Sequence, residues 1–165
     1  MLNASSTLLS DVKVRQAIAY AVNKEEITEG LTYGYETPAT SLFAPGAPYT
    51  DISYNSTWNY DLDKANALLD EAGWVMNDST GIREKDGQKL SLNYTYWTDL
   101  SLAQEMALAI KTQLAKVGID VTTTGQDQMT WWTEGVAGNY DITTWNTEGS
   151  YTCLLYTSPS PRDPK

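Results

Sequence analysis

Between two strand-like stretches of this chain lies one long amphipathic helix, and that order constrains the fold more than any other feature. Leu90, Leu92, Tyr94 and Tyr96 alternate with polar residues, the period of a half-buried strand. Ser101 then opens a helical stretch whose apolar positions are Ala103, Met106, Ala107, Ile110, Leu114 and Val117, and Gly118 stops it. Ile119-Asp120-Val121 reads as the next strand. A strand, a helix of about 16 residues and a second strand make a parallel crossover unit, because parallel strands need a long connection that packs back on the sheet. The fold class expected is therefore α/β.

The remaining segments fit around that unit. Leu2 to Leu9 enters as a strand remnant. Ser10 or Asp11 caps a helix with Val14, Ile18, Ala21 and Val22 on one face, and Gly30 is expected to end that helical region. From Tyr33 to Tyr60 helical periodicity is lost, and Pro38, Pro45 and Pro48 with Gly34 and Gly46 force an extended, turning path. Asp61 caps a further helix bearing Leu62, Ala65, Leu68 and Leu69, and Gly73 sits where a left-handed residue closes it. Asp86-Gly87, between Ile82 and Leu90, reads as a tight hairpin turn. A short helix from Met129 to Val136 and a last strand from Tyr140 to Trp145 complete the reading. No internal repeat and no low-complexity linker occurs before residue 152.

Residues 153–165 differ from everything before them. Cys153 to Asp163 reads CLLYTSPSPRD. With suitable codons it back-translates into a transposase-type sequencing-library adapter read in one frame. The expectation is a protein portion over 1–152 and a non-native tail over 153–165, adapter-derived or disordered, to be set aside when the fold is considered. A codon that departs from the adapter would exclude the first origin.

Composition removes several function classes. The net charge is -10, with 11 Lys and Arg against 21 Asp and Glu, which disfavours nucleic acid as a partner because phosphates demand basic side chains. No run of about 18 apolar residues is present, so no membrane span is expected. The first residues lack the charged and apolar regions of a signal peptide. There is no histidine, the commonest proton shuttle and transition-metal ligand, and the single cysteine, Cys153, can form no internal disulfide. Aromatic residues are biased to 11 Tyr and 6 Trp against 1 Phe, a bias that suits a wetted recognition cleft.

The segments DVKVRQAIAYAVNKEEI, SLFAPGAPY, YDLDKANALLDEAGW, IREKDGQKLSLNY, AIKTQLAKVGIDV and YDITTW occur in this order between Leu9 and Tyr151. In order and spacing they resemble the family 5 extracytoplasmic solute-binding proteins of ABC importers, the nickel- and oligopeptide-binding group. LFAPGAPY and IREKDGQ look most like the nickel-binding branch, with peptide-binding members similar. The resemblance implies a two-lobe, type II-like periplasmic-binding-protein clamp, of which this chain is a fragment of the second lobe. A fragment of that kind is expected to leave strand edges and apolar surface uncovered.

The resemblance also implies where a ligand is met. The resemblance implies ligand-facing residues near the end of the last strand read here, which in this sequence places Trp145, Asn146, Thr147, Glu148 and Tyr151 in the ligand-binding set. Glu148 or Thr147 stands where relatives carry a Trp, so Trp145 is the candidate substitute. Trp132 falls where nickel-branch relatives present an aromatic to the cleft, and Gln128 where peptide-branch relatives present a Trp. Trp58, Trp74 and Trp97 are read as packing residues. The implied ligand is a nickel chelate or a short peptide, the implied partner an ABC permease, and the implied location the periplasm or the outer face of the cell envelope, the latter as a lipoprotein. No cofactor is expected. With no histidine in this chain, nickel would have to arrive as a chelate or be ligated outside this fragment.

Covalent chemistry finds little to work with. Asp61/Asp63, Asp70/Glu71 and Glu25/Glu26 are paired carboxylates, but they sit at helix starts or on helix surfaces, where they favour the dipole or solvate. Asn77-Asp78-Ser79-Thr80-Gly81 lacks the alternating ligands and closing Glu of a calcium loop. Two other classes stay open on the residues alone. A secreted α/β hydrolase domain is disfavoured by the missing histidine and G-x-S-x-G turn. A plain protein-interaction domain of the same fold is the other.

Overall fold

The computed structural model describes residues 1–39 and 58–145. The expectations placed on Pro45, Pro48 and the SLFAPGAPY segment, on Asn146, Thr147, Glu148 and Tyr151, and on residues 153–165 lie outside the described residues.

Five helices and six strands are described. Helix α1 spans Val12–Ala21 and α2 spans Lys24–Thr32. After α3, Leu62–Glu71, come three short strands: β1 at Val75–Asn77, β2 at Ile82–Lys85 and β3 at Gln88–Lys89. Strand β4, Ser91–Trp97, leads to α4, Ala103–Ala115, and then to β5, Asp120–Gln126. Helix α5, Gln128–Ala137, and β6, Ile142–Thr143, follow.

The crossover unit forms as the pattern dictates. β4 and β5 pair in parallel from Ser91↔Asp120 to Trp97↔Gln126, and β6 pairs parallel to the other edge of β4, giving the order β5-β4-β6. A second, antiparallel sheet runs β1-β2-β3. Its β2–β3 hairpin turns at Asp86 and Gly87, both with positive φ (52° and 79°), the geometry of a type I′ turn that suits the twist of paired strands.

Because side chains alternate across a strand, the larger sheet has two unlike faces. Leu92, Tyr94, Tyr96 and Val121 lie in the main core with Ala103, Ala107 and Leu114 of α4 and with Val14, Ile18, Ala65 and Leu69 of α1 and α3. The opposite face carries Asn93, Thr95 and Trp97 and is covered by α5. β4 is thus the central strand and buries Thr95 as well, rather than being half-buried as its alternation suggests.

Caps account for most helix starts. Asp11, Asp61 and Asp127 accept backbone N–H groups at α1, α3 and α5, which satisfies donors that the first turn leaves free. Three expectations are corrected. Gly30 does not end the first helical region. That region breaks instead at Asn23, which caps α2 through Glu26 N, while the Gln113 carboxamide of α4 accepts from Asn23 N at 2.9 Å and holds the break. α2 continues through Gly30 to a left-handed Tyr33. Ser101 does not cap α4; Leu102 occupies that position with φ 61° and no side-chain bond. Leu2 to Leu9 contributes one bridge, Leu2 to Ile142, and then a 3-10 turn at Thr7–Leu9.

Candidate functional site

Parallel strands end together, and the crevice at their carboxyl ends is where sheets of this kind receive ligands. Here that end carries Trp97 at the tip of β4, Gln126 and Asp127 at the tip of β5, and Trp145 two residues after β6. α5 starts from the same place, because Asp127 Oδ1 accepts from both Met129 N and Thr130 N at 3.1 Å. The Thr130 hydroxyl also donates to this carboxylate, and these bonds hold its pKa below the ordinary value.

Four indoles meet over this end. Trp131 is the hub. It stacks on Trp97 with ring centroids 6.3 Å apart, and its ring lies 4.9 Å from that of Trp145. Trp132 completes the group, 5.3 Å from Trp145 and 6.5 Å from Trp131. Trp131 is 6% exposed, whereas Trp132 is 53% exposed, so the cluster has a sealed side and a wet side. Consecutive helical residues project about 100° apart, which is why one indole of the pair turns inward and the next outward.

Hydroxyls fix the sealed side. Trp131 Nε1 donates to Thr143 Oγ1 at 3.1 Å, and the Thr143 hydroxyl in turn donates to the Thr95 carbonyl at 3.1 Å. The Thr95 hydroxyl donates to Thr143 Oγ1 as well, at 3.1 Å. Gly135, one turn along α5 from Trp131, supplies the seat for Trp145: a Cβ there would stand 3.0 Å from Trp145 Cζ3. On the wet side an open depression of about 670 Å³ is lined by Asp127, Gln128, Met129, Trp131 and Trp132.

The expected site residues that are described, Gln128, Trp132 and Trp145, therefore come together at one end of the sheet. Trp74 is buried in the main core, and Trp58 packs edge-on against Tyr20 at 5.2 Å, both as packing residues. Trp97 also packs, but on the aromatic cluster rather than in the main core. Sequence reasoning passed over Trp131. The Trp131-Trp132 doublet, placed four and five residues after the Asp127 cap, was the available signal. Among the described residues no three His, Cys, Asp or Glu side chains gather into a metal-holding group, and no helix is long and apolar enough to cross a membrane.

The described part of this end of the sheet is an aromatic wall beside a shallow, open depression, the kind of surface that suits non-covalent contact with a ligand or a second protein surface. The chain belongs to the bacterial extracellular solute-binding proteins of family 5: residues 1–154 match the family portion described as "Bacterial extracellular solute-binding proteins, family 5 Middle". It is a member of a family of binding proteins, not of enzymes. It is 35% identical over 127 residues to the nickel-binding periplasmic protein of Escherichia coli, an overlap of 77% of this chain and 24% of that protein. It is 40% identical over 167 residues to the oligopeptide-binding protein OppA of Lactococcus lactis subsp. cremoris, covering 95% of this chain and 26% of OppA. Its fold superposes on NikA from Brucella suis in complex with Fe(III)-EDTA with a TM-score of 0.83 and 33% identity, over 93% of this chain and 31% of NikA. The chain thus spans about a quarter of the length of these curated relatives. It is mixed α/β and corresponds to a fragment of two-lobed structures.

Proposed function

We propose that this chain is part of the second lobe of an ABC-importer solute receptor, which captures nickel chelates or short peptides outside the cytoplasm for delivery to a permease. Trp132 and Trp145 are the aromatic contacts in this reading, with Gln128 beside them. The observation that carries it is the four-indole cluster at the carboxyl end of three parallel strands, sealed beneath by Trp131 and open above at Trp132. A rigid indole wall excludes water and contributes contact area at little entropic cost. Closing a second lobe over that wall would tell a transporter that the site is filled.

The nickel- and peptide-binding relatives are similar to this chain to comparable degrees, 35% and 40%, so both ligand classes enter the test. The segment would be built into a full-length relative to restore both lobes. Calorimetric titration with nickel–histidine and with a mixed pool of di- to pentapeptides then reads the site. Saturable heat is expected from one class, and Trp132→Ala should weaken it by about 2 kcal/mol, roughly thirtyfold in affinity. Binding of neither class, or chemical turnover of either, would overturn the reading.

A further inference from the structure

Helix α5 buries one side chain, Trp131, and leaves most of its residues to solvent. Consecutive residues turn about 100° around the axis, so Met129, Thr133 and Val136 fall within about 60° of one another on the side opposite Trp131. Met129 is 73% and Val136 69% exposed, and Thr133 is exposed between them. Trp132 lies beside this outward face, on the flank where Trp145 is seated against Gly135. No residue of the outward face is charged. The one charged residue of the helix, Glu134, is half-buried and accepts from Asn139 Nδ2 at 2.6 Å. A helix of this chain that lives in solvent looks different: α2 buries no residue and carries four charges in nine positions, Lys24, Glu25, Glu26 and Glu29. In a chain of net charge -10, an outward face with no charge and two large apolar side chains has the composition of a covered surface.

We propose that the outward face of α5, centred on Met129, Thr133 and Val136, is an internal interface of the intact receptor, covered through an apolar, uncharged surface by the part of the receptor's own polypeptide that this chain lacks. The proposal rests on the receptor reading above only in taking this chain as one part of a longer polypeptide, and it holds for either ligand class. Two observations select that occupant. The first is where the chain leads. The match covers 24% and 26% of two curated relatives, so about three-quarters of such a receptor lies outside it. The described chain ends at Trp145, whose ring is 5.3 Å from that of Trp132, so the polypeptide leaves from the flank of α5. The second is area. A helix of ten residues is about 15 Å long and about 10 Å across, so one face offers on the order of 200 Å², well below the ~800 Å² that each partner contributes to a stable interface. A second copy or a separate protein would need more surface than this. A tethered segment does not, because the covalent connection holds it at an effective concentration of about millimolar.

The test uses the full-length chimera described above, without ligand and in a background free of other cysteines. Val136→Cys places a thiol on the outward face of α5, and Glu29→Cys, on the exposed side of α2, supplies the solvent reference. Reaction with a small maleimide should be at least about tenfold slower at position 136 than at position 29 in the folded chimera, and equal at the two positions in denaturant. Equal rates in the folded chimera overturn the proposal. Protection of position 136 that is lost on dilution assigns the face to a second copy and also overturns it. Met129→Glu and Val136→Glu should each lower the urea midpoint of the chimera, because a charge is driven into an apolar contact, whereas a substitution on a free surface is close to neutral. Midpoints equal to the parent's overturn the proposal as well. No ligand enters these measurements, so a chimera that binds neither nickel–histidine nor peptides overturns the receptor reading and leaves the interface standing.

Discussion

The indole N–H of Trp131 on α5 donates to the hydroxyl of Thr143 on β6 across 3.1 Å, with both residues buried. This bond ties the aromatic cluster to the sheet. Thr143→Val keeps the shape and deletes the hydroxyl, leaving the Trp131 N–H and the Thr95 hydroxyl without that partner. The expected cost is about 2 kcal/mol, close to the penalty for an orphaned buried donor, read as a lowered urea midpoint with an unchanged slope. The near-ultraviolet circular dichroism of the indoles should weaken with it. Retained stability would mean that water reaches this side of α5.

Gly135 is the seat of Trp145. Gly135→Val places branched carbon where the first atom alone would already come within 3.0 Å of the indole. Valine is a better helix former than glycine, so the helix itself gains a few tenths of a kcal/mol. Trp145 is expected to shift, with a changed tryptophan emission spectrum and ligand binding in the full-length chimera weakened about tenfold, while the thermal midpoint moves little. A spectrum identical to the parent's would show that Trp145 does not depend on this seat.

Gly118 closes α4 with φ 78°, a conformation that L side chains rarely adopt, and a Cβ there would lie 2.7 Å from Met76 Cε and 2.9 Å from Arg83 Cγ. Met76 could give way; Arg83 cannot. Its guanidinium is buried and committed to Val117 O, Trp74 O, Asp70 and Asn66. Gly118→Ala therefore combines backbone strain of about 1 kcal/mol with displacement of a buried charge. The predicted loss is at least about 2 kcal/mol in urea unfolding, against a typical single substitution near 1 kcal/mol.

Tyr94 is buried in the main core, and burial raises its hydroxyl pKa above the ordinary 10.0, opposed in part by the 2.8 Å bond with Thr144 Oγ1. The folded state therefore holds this proton at pH values where the unfolded chain has released it. Its contribution to stability is full below pH 10 and is lost as pH rises beyond that. Between pH 9 and about pH 11 the parent should lose more stability than Tyr94→Phe, measured as the difference of urea midpoints. Parallel losses would assign the alkaline destabilisation to other groups.

The crossover β4-α4-β5, the α3 cap at Asp61 and the Asp86-Gly87 turn were legible because each rests on chemistry local in sequence: a period, a cap, a pair of left-handed residues. The break between α1 and α2 was not. Nothing near Asn23 in sequence announces that Gln113, ninety positions away, will bond its backbone. For the same reason Leu102 rather than Ser101 stands at the start of α4. There the packing of Ala103 against the core sets the entry, and no side-chain cap is made. The site divides in the same way. Gln128, Trp132 and Trp145 could be named through a family resemblance, whereas Trp131 could not be ranked above its neighbour without knowing which side of α5 faces the sheet.

What the sequence by itself determined is the parallel α/β order, the acidic, histidine-free chemistry that disfavours nucleic acid, and membership in a family of binders. All three are written in residue types and spacings, which survive any arrangement of the elements. What only the tertiary structure decided is that four indoles, from β4, α5 and the residues just past β6, meet at one end of the sheet. These residues are up to 48 positions apart, from Trp97 to Trp145, and no local rule couples them. Strand register and the face chosen by α5 do, because a parallel ladder brings its carboxyl ends to one level and alternation fixes which side chains look the same way.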